Sequence, residues 1–259
     1  MDAAARMFLY LIIYSVVGWV YESILCSITQ RRLVNRGFLN GPLCPIYGFG
    51  AVAVILLLPG GQDESLIKLF LSSSVLCCIL EYFTSYLLEK LFHARWWDYS
   101  QRHFNLNGRV CLEGAVVFGV MAVLLVRYLH PFVAAQVAKL PRAWLYGMDV
   151  GIFAILMVDL TFTVRHLLGL KGRLAEIQKL LQAQKEAGQR RLEALGEGLR
   201  GSLAAREESA RGYAERISAL LGSRRFQDRR LMRAFPGLKF RDSEAWEQLK
   251  ERLRRKKQP

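Results

Sequence analysis

MFLYLIIYSVVGWVYESILCSI, residues 7–28, carries one formal charge, Glu22. A helix needs about 20 mostly apolar residues to cross roughly 30 Å of hydrocarbon, and this stretch has that length. Only Arg6 and Asp2 precede it as charges, and no small-residue cleavage pattern follows, so it reads as a retained first span. Comparable stretches recur at 41–58, 66–88, 110–129 and 143–164. The expectation is an all-α, polytopic membrane helix bundle of about five transmembrane helices, residues 1–166, followed by a cytoplasmic helical tail with coiled-coil character, residues 167–259.

Composition divides at the same place. The chain is 53% hydrophobic yet has a net charge of +14. Met1 to Val164 holds 12 Lys and Arg against 10 Asp and Glu, whereas Arg165 to Pro259 holds 24 against 12. An apolar body joined to a charged appendage divides this way; a uniform globular domain does not. Cys26, Cys44, Cys77, Cys78 and Cys111 lie in or beside apolar segments without paired metal-ligand spacing, and read as small buried residues. No cofactor or metal is expected.

Cytoplasmic segments favour Lys and Arg, so the basic tail assigns the end of the last span to the inside of a bacterial plasma membrane. Counting back places the N-terminus outside. Arg31, Arg32, Arg36, Lys90, Arg95, Arg102 and Arg109 then fall in inner loops, and Asp63 and Glu64 in an outer one. The 41–58 segment is the exception to regularity: Gly41, Pro42 and Pro45 break its entry, and a re-entrant course would move the Arg31–Arg36 cations outside. Five full spans fit the charges better. Trp96, Trp97 and Trp144 suit interfacial positions.

Glu22, Glu81 and Glu113 lie within or beside apolar segments, where an ionisable group costs on the order of 2.5–3.5 kcal/mol and must face the bundle, a cavity or a partner. All three fall near the inner ends of their spans. Ser15, Gly18, Glu22, Cys26 and Thr29 share one side of the first helix, and Ser74, Cys78, Glu81 and Ser85 one side of the third. Small polar stripes of this kind mark packing or cavity-lining faces. The expected site is a polar cavity open to the cytoplasm, lined by these three acids and roofed by residues 36–48 and 96–109. Arg102 and Arg109 neutralise the acids or hold an anionic part of a ligand, and Asn40, Asn105 and Asn107 offer neutral hydrogen bonds. The competing reading pairs each acid with Arg36, Arg102 or Arg109 as a structural lock. Asp149 and Asp159, at opposite ends of the last span, read as wetted or salt-bridged.

Four motifs carry a family resemblance: GWVYES at 18–23, RGFLNGPLCPIYGFGA at 36–51, LEYFTSYLLEKLFHARWWDYS at 80–100 and FNLNGRVCLEG at 104–114. Together they resemble the bacterial CmpB-like family, the type IV putative ABC-transporter permeases, over the first two-thirds of the chain. The resemblance implies a multi-spanning plasma-membrane protein and brings no established catalytic residues. The G-x-x-x-x-G-K-[ST] phosphate loop is absent from the sequence, so ATP hydrolysis of that kind requires a separate ATPase subunit.

In the tail, Leu174, Ile177 and Leu181, then Leu192, Leu195 and Leu199, then Tyr213, Ile217 and Leu220 recur at helical spacing, interrupted by Gly188, Gly196, Gly198 and Gly201. These read as short self-packing or oligomerising helices. Phe235-Pro236-Gly237 precedes a last helix near Ser243 to Leu253, and the basic clusters at 224–233 and 252–257 are expected to lie along anionic lipid headgroups. Nucleic acid is not the expected partner, because no recognised binding module accompanies the charge. The leading function is a transporter-permease component. A membrane scaffold acting through its tail stays open beside it, as does an integral membrane enzyme acting on lipid-linked substrates.

Overall fold

A computed structural model describes residues 2–58, 65–196, 212–213, 215–217, 219–220, 226–235, 237–240 and 243–255. It is helical almost throughout: α1 (Asp2–Gln30), α2 (Pro45–Leu57), α3 (Leu66–Phe92), α4 (Leu112–Leu124), α5 (His130–Ala138), α6 (Arg142–Gly196), α7 (Phe226–Ala234) and α8 (Ser243–Arg255). The short strands β1 (Ala94–Arg95), β2 (Asn105–Leu106), β3 (Val110–Cys111) and β4 (Lys239–Phe240) complete it. β2 and β3 form a small hairpin, and β1 pairs antiparallel with β4, Ala94 opposite Phe240.

Four of these helical stretches are long and apolar enough to cross a membrane: Asp2–Gln30, Leu66–Phe92, Leu112–Ala138 and Arg142–Glu186. Protein buries only 6% of the most apolar part of the last, so lipid is the partner left for its side chains. Val150, Phe153, Ile155 and Phe162 all face outward on it. The expectation of five full spans is corrected in one respect. The second segment is a helix of 13 residues, about 20 Å long, because Gly41-Pro42 and Pro45 keep residues 41–44 out of helical backbone. Pro45 instead opens α2 at its first turn, where the missing N–H costs nothing.

Chain direction alternates along the bundle. Tyr47 stands opposite Gly18, and Gly48 opposite Leu11 and Ser15, so α2 runs antiparallel to α1. A Cβ on Gly48 would overlap Ser15 Oγ and the Leu11 carbonyl, and one on Gly119 would overlap Ser74 Oγ and the Phe70 ring. Those two contacts bring α1 to α2 and α3 to α4 into backbone-close packing, the usual device where lipid removes the hydrophobic drive between helices. α1 ends at Arg31, whose left-handed backbone (φ 49°) turns the next N–H, that of Arg32, back onto Ser27 O (3.1 Å), and α3 ends at His93, also left-handed (φ 52°).

Two helices run past the ends of the apolar stretches. The fourth span continues past residue 129 to Ala138, because a π-helical turn at Leu125–Leu129 absorbs the disruption from Pro131. The last span has no break at 166/167: α6 is one helix of 55 residues.

The bundle has a distinct core at each end. Ala5, Leu9, Tyr10, Tyr14, Val133, Val137 and Leu145 pack together where α1 begins, and Asp2 accepts there from Tyr146 (2.6 Å) and pairs with Arg142 (3.1 Å). At the opposite end Phe92, Trp96, Leu167, Leu170, Leu174 and Ile177 meet Leu231, Phe235, Leu238, Trp246 and Leu249 of the C-terminal segment. The Leu174-Ile177-Leu181 stripe is therefore buried against the chain's own α7 and α8. Leu199, Gly198 and Gly201 lie outside the described residues.

Candidate functional site

Residues 31–44 link α1 to α2 without regular structure, and side chains satisfy much of their backbone. Val34 N donates to Ser27 Oγ (3.0 Å) and Arg36 N to Ser23 Oγ (3.3 Å), both on α1. Asn40 N (3.0 Å), Asn40 Nδ2 (2.7 Å) and Gly41 N (2.8 Å) donate to the Asp159 carboxylate, and Thr163 adds a fourth bond. Cys44 N reaches Ser15 O near the middle of α1 (3.0 Å). The loop thus climbs from the end of α1 to its midpoint, and α2 carries the chain the rest of the way. Irregular backbone is tolerated at such a position only when protein groups satisfy it, and Asp159 is the chief of these.

Beside the loop stands Glu22. It accepts from the Tyr47 hydroxyl (2.6 Å) and pairs with Arg36 (3.3 Å), and both side chains of the pair are about four-fifths covered. Glu81 is buried in α3, 5% exposed. Its Oε1 accepts from Tyr99 (3.2 Å), while Oε2 is enclosed without a hydrogen-bond partner among the described residues. Burial and the Glu81 charge push the Tyr99 phenol well above its ordinary range, so it remains the donor. Arg36 is the cation paired with Glu22.

The 94–111 hairpin is built on α3. Arg109 pairs with Glu89 (2.8 Å), donates to Ser85 (3.3 Å) and lies over the Tyr82 and Tyr86 rings. Asn105 closes the turn, accepting from Gly108 N (2.9 Å) and donating to Arg102 O (2.7 Å), and Asn107 donates to Tyr82 (3.0 Å). Glu113 pairs with Arg102 (3.0 Å), and both are about 60% exposed. Of the expected set, then, Glu22 and Glu81 each accept from a phenol, Tyr47 and Tyr99. Glu113 and Arg102 form a separate exposed pair, Arg109, Asn105 and Asn107 shape the hairpin, and Asn40 serves Asp159. Trp96 is not interfacial but buried, between Phe38 (5.0 Å) and Phe235 (4.8 Å).

The C-terminal segment closes this end. Arg36 donates to Ala234 O and stacks on Phe235 (4.6 Å). Arg230 donates to the carbonyls of Gly37 (3.0 Å), Phe38 (3.1 Å) and Leu39 (2.7 Å). Asp228, buried on α7, accepts two bonds from Arg173 (2.8 and 3.0 Å), and His166 Nε2 approaches within 2.8 Å in an ion-pair contact that is not an aligned hydrogen bond. Burial alone would raise its pKa, but His166 and Arg173 outweigh that and hold it below the ordinary carboxylate value. Lys239 binds Asp98 (2.7 Å), and that bond together with Ser100 pulls the Asp98 carboxyl down to about 2. Tyr47, Tyr99, Asp159, Asp228 and Arg230 had no place in the sequence-derived site. Only Asp159 carried a signal, as an acid in an apolar run four residues before Thr163.

Comparison with curated proteins and with solved structures found no match. A scan against family models matched residues 9–164, which contain most of α1, all of α2 to α5, the loop, the hairpin and the Asp159 end of α6's apolar stretch. By that match the chain belongs to the family described as Putative ABC-transporter type IV.

Proposed function

We propose that this chain is the permease-like membrane component of an ABC-transporter-type system in the bacterial plasma membrane, with a polar ligand site at Glu22 and Glu81 that opens to the cytoplasm. The observation that carries the reading is the enclosed Oε2 of Glu81, a buried acceptor without a partner among the described residues. Acids at such positions are expensive and characteristically line substrate or ion paths. The broken second span beside them has the form in which transporters place their binding sites. Residues 1–166 would form the transmembrane domain, with the N-terminus outside. Residues 167–259 would be cytoplasmic, where the inner-loop arginines and the basic tail are favoured and the tail's remaining cations can meet anionic headgroups. Energy would come from a separate ATPase polypeptide, since this sequence lacks the phosphate-loop motif.

Purification of the tagged full-length chain from bacterial membranes in mild detergent tests this. Co-purifying ATPase activity that Glu81→Gln alters without lowering the melting temperature supports the reading. A chain that purifies alone, or an activity indifferent to Glu81→Gln, contradicts it. A scaffold is the second reading, favoured by the length of α6 beyond Leu181, and it predicts bound partners that Glu81→Gln does not affect.

A further inference from the structure

The carbonyl oxygens of Gly37, Phe38 and Leu39 take no bond from a backbone N–H among the described residues. All three converge on one guanidinium, that of Arg230, which approaches from a helix about 190 residues further along the chain. Nη1 takes Gly37 and Leu39, and Nη2 takes Phe38. A planar fork with five donors suits such an arc; a compact ammonium would reach fewer of its oxygens at once. Beside the arc, on the next two residues of the loop, lies the Asp159 carboxylate, whose hydrogen bonds among the described residues come from neutral donors, and its charge acts on Arg230.

The arc is shaped by groups other than Arg230. Ser23 and Ser27 hold the loop on one side, Asp159 grips the next two residues on the other, and Asn35 Oδ1 accepts from Gly37 N (3.0 Å). Without Arg230, three oriented acceptors and a nearby negative charge would remain. Such a preformed acceptor set binds a cation without first having to be organised.

We propose that the Gly37–Leu39 carbonyl arc, with Asp159 beside it, is a binding site for a guanidinium-type cation, and that the tail's own Arg230 occupies it as a tethered ligand. The tether gives Arg230 a high effective concentration, so a free cation competes poorly while α7 is docked. Undocking of the C-terminal segment opens the site. This goes beyond the Glu22–Glu81 reading and does not depend on it.

The test uses the full-length chain in detergent, with methylguanidinium as probe and methylammonium at equal ionic strength as control. Arg230→Ala should melt lower than the parent and regain stability saturably with millimolar methylguanidinium. Methylammonium should do markedly less, and the parent should respond to neither. Arg230→Gln keeps an amide donor on the carbonyls and should show the same preference at a smaller amplitude. If Arg230→Ala does not fold alone, recovery of folded protein by methylguanidinium during solubilisation supports the site. Absence of any methylguanidinium effect on both variants overturns it, and so does an effect equalled by methylammonium or by the parent. In either case Arg230 is only a structural cap.

Discussion

Glu22 and Glu81 differ in what a neutral amide would do. At Glu22 a Gln removes the carboxylate paired with Arg36, which is four-fifths covered and is left with Ala234 O and the Phe235 ring. Leaving such a group without its counter-charge costs about 1–3 kcal/mol, so Glu22→Gln should melt clearly lower than the parent. At Glu81 a Gln still accepts from Tyr99 and replaces a buried carboxyl that no cation pairs with among the described residues, so Glu81→Gln should melt no lower. Paired melting curves of the two variants check the contrast. Acid behaviour follows from Asp98, held at about 2 against an ordinary 3.8. A depressed carboxyl stabilises the folded state above its unfolded value and loses that contribution as pH falls through its folded one. The Lys239–Asp98 tie between hairpin and tail should therefore be intact above pH 3.8 and fade towards 2, with Asp228 acting in the same direction. Melting curves across that range should lose part of their slope in Lys239→Ala. Glu22 and Glu81 were legible in the sequence because a charge inside an apolar run stands out. Their phenol partners were not, since Tyr47 and Tyr99 look like ordinary aromatics until the fold brings them in. Asp159 was visible as a residue, but its partner Asn40 is 119 positions away and no local pattern joins them.

The helices themselves were the easiest part to read, because length and apolar composition alone decide whether a stretch can cross hydrocarbon. α2 shows the limit of that rule. Residues 41–44 are apolar enough for a span, yet prolines and a glycine set their backbone, and the bonds that make this bearable come from α1 and α6. The π turn before Pro131 escaped for a similar reason: a proline marks a disruption without saying whether the helix stops or absorbs it. The α1–α2 contact yields its own prediction. Gly48→Ala forces a methyl into Ser15 and the Leu11 backbone and should destabilise by about 1–3 kcal/mol, whereas Gly50→Ala, which points into open space, should leave the melting temperature unchanged.

In the assembled chain the C-terminal segment does more than its charge suggested. Basic composition pointed to lipid headgroups, but Arg230 is engaged with backbone carbonyls, and Trp246, Leu231 and Phe235 pack on Trp96, Phe92 and α6. A charge count cannot separate a cation facing lipid from one facing a carbonyl arc. Truncation after residue 225 should therefore expose Phe92 and Trp96, lower the melting temperature and promote aggregation in detergent, as size-exclusion profiles would report. The course of the second segment has the widest consequence. If loop 31–44 and α2 together cross the bilayer, the chain passes through five times and its ends lie on opposite sides. If α2 only dips in and returns, four spans leave both ends on the same side. Single cysteines at the exposed positions Ala3 and Gln189, in a background with the five native cysteines replaced, distinguish these with a membrane-impermeant maleimide on intact cells. Ala3→Cys should label from outside and Gln189→Cys only after permeabilisation; labelling of both from the same side would contradict the proposed five-pass course.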